Sequence, residues 1–405
     1  HRLIRRQRQM CIRDSLGRFI SQEEAISHID FNTIGLLIGM MILVGIGKRT
    51  GLFQFMAIIA ARASRGNGWH LLVFLAMVTA IASAFLDNVT TVLVIVPLTF
   101  LLVDTLKLSP VPFLIAEIMA ANVGGTATLI GDPPNMLLAS AGHLPFMSFI
   151  YNLTPIVIVV FWVAILYYRK IYKEKLTVAP SIRKTLVSFN AYKAIKDWKL
   201  FRKTSIIFGL TLVGFIFHDK LKFGPAGIAL IGAGILLFLS GIHPKEVLAE
   251  VEWPVLFFFI GLFILIGGME KVGLMHKAAS YMLEVSRKPW IVAQIILWTS
   301  FAASLFIGAV PVTITFIPII RNMYMILSLG PAAREPLWWA LSMGACLGAT
   351  GTLVGSAANL VVSGLAESNG QPLSFQYYSR QALPLTFTFI ALSAIYLEVR
   401  YFLIG

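Results

Sequence analysis

Charge is what this chain has least of. Asp, Glu, Lys and Arg make up 13% of its 405 residues, about half the share usual in a soluble domain. Hydrophobic residues make up 58%, and the mean hydropathy is +0.82. A water-soluble fold of this length is excluded, and the chain reads as an integral membrane protein. Alternating polarity is missing as well. A transmembrane barrel needs segments of about 10 residues that alternate polar and apolar, whereas TPIVIVVFWVAILYY (154–168) and GPAGIALIGAGILLFLSG (224–241) are continuous apolar runs. That points to a helical bundle. The only two cysteines, Cys11 and Cys346, make neither a disulfide framework nor a metal cluster. No G-x-x-x-x-G-K-[ST] sequence occurs, so coupling to ATP would need a separate ATPase subunit.

What charge there is has an uneven distribution. The net value is +14, but the segment from Arg169 to Lys203 alone carries eleven Lys and Arg against Glu174 and Asp197. The positive-inside bias makes this hydrophilic stretch a cytoplasmic linker, and nucleic acid is not needed to explain it. The N-terminal run HRLIRRQRQMCIRDS has five arginines and no apolar signal-peptide core. Residues 1–15 are therefore expected to be non-native or disordered.

Self-similarity organises the rest. IDFNTIGLLIGMMILVGIGKRTGL (29–52) matches VEWPVLFFFIGLFILIGGMEKVGL (251–274), with an acid, an aromatic and three glycines in register. DNVTTVLVIVP matches GAVPVTITFIP, and GGTATLIGDPPN matches GATGTLVGSAAN. The expected division is a first transporter repeat over 16–169, a basic linker over 170–203 and a second repeat over 204–405. Each half reads as a glycine-rich spanning helix (31–47; 252–269), an amphipathic helix (50–64; 273–285) and a helical hairpin (69–106; 289–328). A helix broken by a polar loop (111–140; 336–366) and a closing helix (147–169; 381–403) follow. Segments 205–218 and 224–241 have no counterpart in the first half, so two N-terminal helices of repeat one are expected to be missing. An odd number of crossings per half would make the repeats inverted, which is a transporter architecture.

The polar islands carry the chemistry. Backbone that leaves the helix at membrane depth must be buried in protein or line an aqueous cavity. In GGTATLIGDPPN, Gly124, Gly125 and Gly131 permit unwinding, and Pro133 and Pro134 forbid intrahelical bonds. The freed carbonyls, with Asp132, Asn135, Thr126 and Thr128, make a hard-ligand set suited to Na+ or a proton relay. FLDNVTT (85–91) reads as a re-entrant hairpin tip, with arms too short to span comfortably, carrying Asp87 and Asn88 to the midplane opposite Asp132. Intramembrane carboxylates are functional by default, and Glu117 lies one to two turns before the unwound loop. Thr90, Thr91, Thr126 and Thr128 either line the site or bond the carbonyl four residues back. Cys346 occupies the repeat position of Asn122 and reads as a small buried packing residue. His143 and His218 lie outside the islands, which points to surface or interface positions.

SAFLDNVTTVLVIVP, NVGGTATLIGDPPN and GACLGATGTLVGSAANLVVSGLAE together resemble the ion transporter superfamily. The likeness covers residues 20–405 and is closest to the branch of ArsB arsenite permeases, NhaD sodium/proton antiporters and the melanosomal P protein. The divalent anion/sodium symporters are more distant. The resemblance implies a homodimer in a bacterial or archaeal cytoplasmic membrane, with a scaffold and a mobile transport domain working by an elevator-type mechanism. It implies no cofactor beyond a coupling Na+ or H+. In the symporter relatives a Ser-Asn-Thr tip and a Gly-Thr-Pro-Pro-Asn loop form a sodium site; the matching positions here are Asp87, Asn88 and Val89, then Gly131 to Asn135. Asp87, Asn88, Gly131 and Asn135 are the implied Na+ ligands, with Glu117 and Asp132 joining them in ion coupling.

In the second repeat the tip is Gly308, Ala309, Val310, Pro311 and the loop Gly355, Ser356, Ala357, Ala358, Asn359, which carry no carboxylate. Charge coupling is therefore assigned to repeat one. The neutral half built from Thr313, Thr315, Thr350, Thr352, Ser356 and Asn359, facing Asn88, Thr90 and Thr126, would hold a small anion or polar oxyacid. The function expected is secondary active transport of such a solute with H+ or Na+, not an enzyme reaction. Proton coupling is favoured over sodium if Asp87 or Glu117 is desolvated enough to bind a proton near neutral pH. The alternatives are a Na+/H+ antiporter of NhaD type, an ion channel, and an intramembrane aspartyl protease using Asp87 and Asp132 as a dyad.

Overall fold

The computed structural model describes residues 21–178, 191–221, 223–328 and 330–403; the expected non-native segment 1–15 lies outside them. Among the described residues there is no strand, and nine helices are long and apolar enough to cross a membrane.

The first half begins with α1 (Gln22–Ser27), which Ser21 and Glu24 close with a capping box. The helices α2 (Phe31–Thr50) and α3 (Leu52–Ala63) follow, then the pair α4 (Gly68–Phe85) and α5 (Asn88–Thr105). The broken helix is α6 (Val111–Thr126) and α7 (Pro133–Gly142), and α8 (Phe146–Tyr172) closes the half. The second half opens with two helices, α9 (Trp198–Leu221) and α10 (Pro225–Ser240), and α10 packs along α2. That half repeats the order: the short α11 (Pro244–Leu248), α12 (Trp253–Lys271), α13 (Leu274–Val285), and the pair α14 (Pro289–Ile307) and α15 (Ala309–Leu327). Its broken helix is α16 (Pro331–Gly348) and α17 (Ala357–Ser368), and α18 (Phe375–Glu398) ends it.

One local expectation changes. The arms of the first hairpin have 18 residues each, long enough to count as spans, and only Leu86 and Asp87 lie between them. The reason is a cap. The Asp87 side chain accepts from the backbone N–H groups of Val89 and Thr90, so α5 starts at once and absorbs the polar residues Asn88, Thr90 and Thr91 into its first turn.

Contacts at helix ends fix the relative direction of the halves. At one end of α2 and α12, Arg49 Nε meets Glu250 Oε1 at 2.6 Å, just before α12 begins. At the other, Lys271 Nζ meets Glu24 Oε2 at 2.6 Å, just before α2 begins. Repeat-mate helices α2 and α12 therefore run antiparallel. The closing helices do the same: Tyr401 donates to Asn152 near the start of α8, while Tyr377 at the start of α18 lies beside Tyr172 at the end of α8. The repeats are inverted. The ends of α2 and α8 nearest Thr50 and Tyr172 lie on the linker side, and α7 ends on the opposite face.

Candidate functional site

Each broken helix is fastened to the pair of helices before it by bonds that recur residue for residue in the repeat. Ser83 donates to the Ala121 carbonyl at 2.8 Å, and Ser304 donates to the Ala345 carbonyl at 2.7 Å. Thr128 donates to Ala84 O, and its mate Thr352 donates to Leu305 O. The loops themselves are held by asparagines. Asn135 donates to Thr126 O (3.1 Å) and Thr128 O (2.8 Å), and Asn359 donates to Ala349 O (3.0 Å) and Thr352 O (2.8 Å). These carbonyls left the helical ladder when Pro133 and Ser356 restarted the chain, and the amides satisfy them internally.

The two loops are also joined to each other. Asn122 Nδ2 donates to Asn359 Oδ1 at 2.8 Å, and from the other half Ser342 donates to Asn135 Oδ1 at 2.7 Å, with the Cys346 thiol 3.9 Å from the same oxygen. All these side chains are buried. Cys346 thus packs where Asn122 stands in the first half, as its size suggests.

Beside this junction lies a cavity of about 390 Å³. Asp87, Asn88 and Val89 at the first tip, Asp132 and Pro133 of the first loop, and Leu37 and Met41 of α2 form one wall. The second tip (307–311), the second loop (354–357), Ala349 and Leu360 form another, and Glu252, Val255, Phe258 and Phe259 complete the lining from α12. The lining holds three carboxyls and no Lys, Arg or His. Among the described residues no group of three His, Cys, Asp or Glu is placed to hold one metal ion.

Asn88 is 5% exposed and bridges tip and loop. In the amide orientation that suits its neighbours, its nitrogen donates to Ala121 O at 3.0 Å and Gly131 O at 3.2 Å. Asp132 is 6% exposed, with Cys346 and Asn88 as its polar neighbours. Asp87 and Asp132 line the same cavity.

The other residues singled out in the sequence stand away from this cavity. Thr126 and Thr313 spend their hydroxyls on the carbonyls four residues back, and Thr352 bonds to Leu305. Thr350 is buried with its hydroxyl unpaired, while its carbonyl accepts from Tyr378. Thr90 serves Asp87 through its backbone N–H. The expected hydroxyl-lined wall therefore does not open into the cavity; of that set, Asn88 and Ser356 do. Asn135, Asn359 and Gly131 lie in the buried junction. Glu117 is 1% exposed, accepts from Thr99 at 2.5 Å through Oε1, and leaves Oε2 without a partner.

Glu252 was not singled out by the sequence reading, although it matches Asp30 in the repeat. Asp30 spends its carboxylate on the N–H groups of Asn32 and Thr33. Glu252, one methylene longer, makes no such cap on α12 and lines the cavity instead. It precedes the span, and burial pushes its carboxyl up to about 7, with Asp87 adding to the shift and Lys48 opposing it.

Known proteins resemble this chain in sequence and in fold. A family profile described as "Citrate transporter" matches residues 10–344. An uncharacterised transporter of Mycobacterium tuberculosis is 38% identical over 377 residues, covering 93% of this chain and 87% of that protein. The human P protein is 32% identical over 468 residues, covering 96% of this chain and 56% of its own length. Two solved structures share the fold. One is the YdaH transporter of Alcanivorax borkumensis (TM-score 0.61, 16% identity, 93% of this chain and 86% of that one). The other is MtrF of Neisseria gonorrhoeae, described among antimetabolite efflux pumps (TM-score 0.59, 14% identity, 92% and 81%). The expected likeness to the P protein is found, and the matching profile bears the citrate name. With 38% identity running through both inverted repeats, this multi-pass membrane transporter belongs to the citrate transporter family of the ion transporter superfamily.

Proposed function

We propose that the chain is a secondary active transporter in which Asp87 and Asp132 take up the coupling cation, H+ or Na+. The solute, a small anion or polar oxyacid, then sits between them and the neutral wall of Gly308, Ala309 and Ser356. One observation carries this reading: the first-repeat carboxyls and the uncharged second-repeat tip line a single cavity between the halves. Electrostatics makes the coupling obligatory. A bare anion among three carboxyls and no cation is repelled, strongly so in a low-dielectric cavity. Protonating those carboxyls, or seating Na+ beside them, removes the repulsion and adds attraction. The name of the matching family favours a carboxylate solute.

The same absence of Lys, Arg and His from the lining favours one other reading, a Na+/H+ antiporter that binds only cations. Proteoliposome uptake of citrate, a dicarboxylate, arsenite, chloride and sodium, each under an imposed pH or sodium gradient, separates the two. Under the proposal an anion accumulates against its gradient and Asp87→Asn abolishes the gradient dependence. Full wild-type dependence in that variant overturns the role of Asp87. Glu252 adds a pH trend. Its carboxyl gains charge as pH rises through about 7, so the cavity becomes more negative and anion flux is expected to fall between pH 6 and pH 8. Glu252→Gln should flatten that fall.

Movement follows from how the parts are bonded. Both loops and both helix pairs are linked to one another at the junction, whereas α2 and α12 form the facing wall of the cavity. We infer an elevator-type motion in which the bonded unit shifts against that frame.

A further inference from the structure

A second cavity, of about 470 Å³, lies on the face opposite the basic linker and shares no lining residue with the central one. It opens where the first half ends α7 and begins α8, and where the second half ends α15 and begins α16. Its charge is the reverse of the central cavity's. Arg321, Arg334 and His143 line it, and Glu335 is the one carboxyl in its lining. That carboxylate is already engaged, its Oε1 accepting from Asn152 and Trp339 at 3.3 Å each.

Arg321 is the informative residue. It lies inside α15, an apolar helix long enough to span, where an arginine is expensive unless its head reaches water or a partner. One nitrogen of its guanidinium donates to Ala141 O at 2.9 Å, at the end of α7, and the side chain is exposed at the cavity. A guanidinium has five donors, so a single carbonyl leaves most of them for another acceptor. Arg334 stacks on the Tyr324 ring at 5.2 Å, which orients a second guanidinium at the same cavity. Forked donors in a fixed plane match the oxygens of a carboxylate or phosphate. Ser148 adds a hydroxyl from the first half.

We propose that this outer cavity is a binding site for an anionic group, a carboxylate or a phosphate, held by Arg321 and Arg334 of the second half with His143 and Ser148 of the first. An anion there bridges the two halves. It also sits at the far ends of α7 and α15, the helices whose near ends, Pro133 and Ala309, line the central cavity. By helical rise the ten residues of α7 put the two sites about 15 Å apart. The anion comes either from solution or from a lipid headgroup.

The test is isothermal titration calorimetry on the full chain in nanodiscs of phosphatidylcholine, with inorganic phosphate and with succinate, repeated in discs containing phosphatidylglycerol. Binding of a soluble anion that weakens at least tenfold in Arg321→Gln/Arg334→Gln, and weakens with added salt, supports the site and assigns a soluble ligand. Binding seen in phosphatidylcholine discs but competed away by phosphatidylglycerol, and lost in the same variant, supports the site and assigns a lipid headgroup. Binding that survives the double variant, or that disappears in Asp132→Asn instead, belongs elsewhere and overturns the proposal, as does no binding of either anion in either disc. Should the double variant lose its fold, judged by its melting temperature, the exposed Arg334→Gln alone is read by the same outcomes. Because binding is read directly, its failure is distinct from failure of the coupling scheme.

Discussion

Gly308 has φ +86° and ψ 161°, a backbone region open in practice to glycine alone. Its repeat mate Asp87 has φ −67° and ψ 152°, ordinary for any residue. The two tips therefore differ in backbone as well as in charge. From sequence the pair Gly308 and Ala309 looks like a lost ion site that Asp and Asn could restore. The backbone says otherwise. Gly308→Asp should destabilise the fold by about 1–3 kcal/mol through strain, whatever it does to ions, while Ala309→Asn alone meets no such barrier. Melting temperature and ion-to-solute ratio measured on both single variants check this. A Gly308→Asp protein as stable as wild type would show that the tip can relax, and the missing carboxylate would again be a question of chemistry.

At the scale of elements, the repeats were legible because their signals are local. Glycines, the Pro133–Pro134 pair and Asn135 break a helix wherever they stand, and α6 and α7 begin and end close to where those residues require. Hairpin arms were underestimated because one carboxylate, Asp87, caps α5 and turns loop-like residues into helix. Hydroxyls were the least legible, since a threonine that bonds the carbonyl four residues back has the same sequence signature as one that faces a ligand. Long-range partners such as Ser83 with Ala121 or Asn122 with Asn359 leave no local trace at all. Packing of repeat-mate helices is likewise similar but not equal. A Cβ on Gly124 would stand 2.6 Å from Ala80 Cα, between α6 and α4, whereas one on Gly348 would stand 3.1 Å from Phe301 Cα, between α16 and α14. Both are small-residue crossings that let helix backbones approach. Gly124→Ala is expected to cost about 1–3 kcal/mol by overpacking, and Gly348→Ala less, as read from detergent melting; equal costs would mean that α4 yields as easily as α14.

For the whole molecule, the question is which parts move together. The junction ties both broken helices to each other through Asn122, Asn359, Ser342 and Asn135, and each broken helix to its own preceding pair through Ser83 and Ser304. A chain of buried hydrogen bonds, each contributing about 1 kcal/mol net and more if one partner is left bare, resists being pulled apart within the unit. Across the cavity the frame offers Leu37, Met41, Val255, Phe258 and Phe259 beside the single carboxyl of Glu252, and such mostly apolar surfaces slide while leaving few polar groups unpaired. The expected outcome is a difference between two cross-links, each made with a bifunctional thiol reagent in a chain carrying Cys11→Ser and Cys346→Ala. Met41→Cys with Val89→Cys joins the frame to the first tip, and should stop solute flux once linked. Ala141→Cys with Arg321→Cys joins α7 to α15 inside the unit, where the two residues are already hydrogen-bonded, and should leave that variant's flux as it was before linking. If the first link leaves flux intact, the unit does not move against α2, and if the second abolishes it, the two halves must separate during transport.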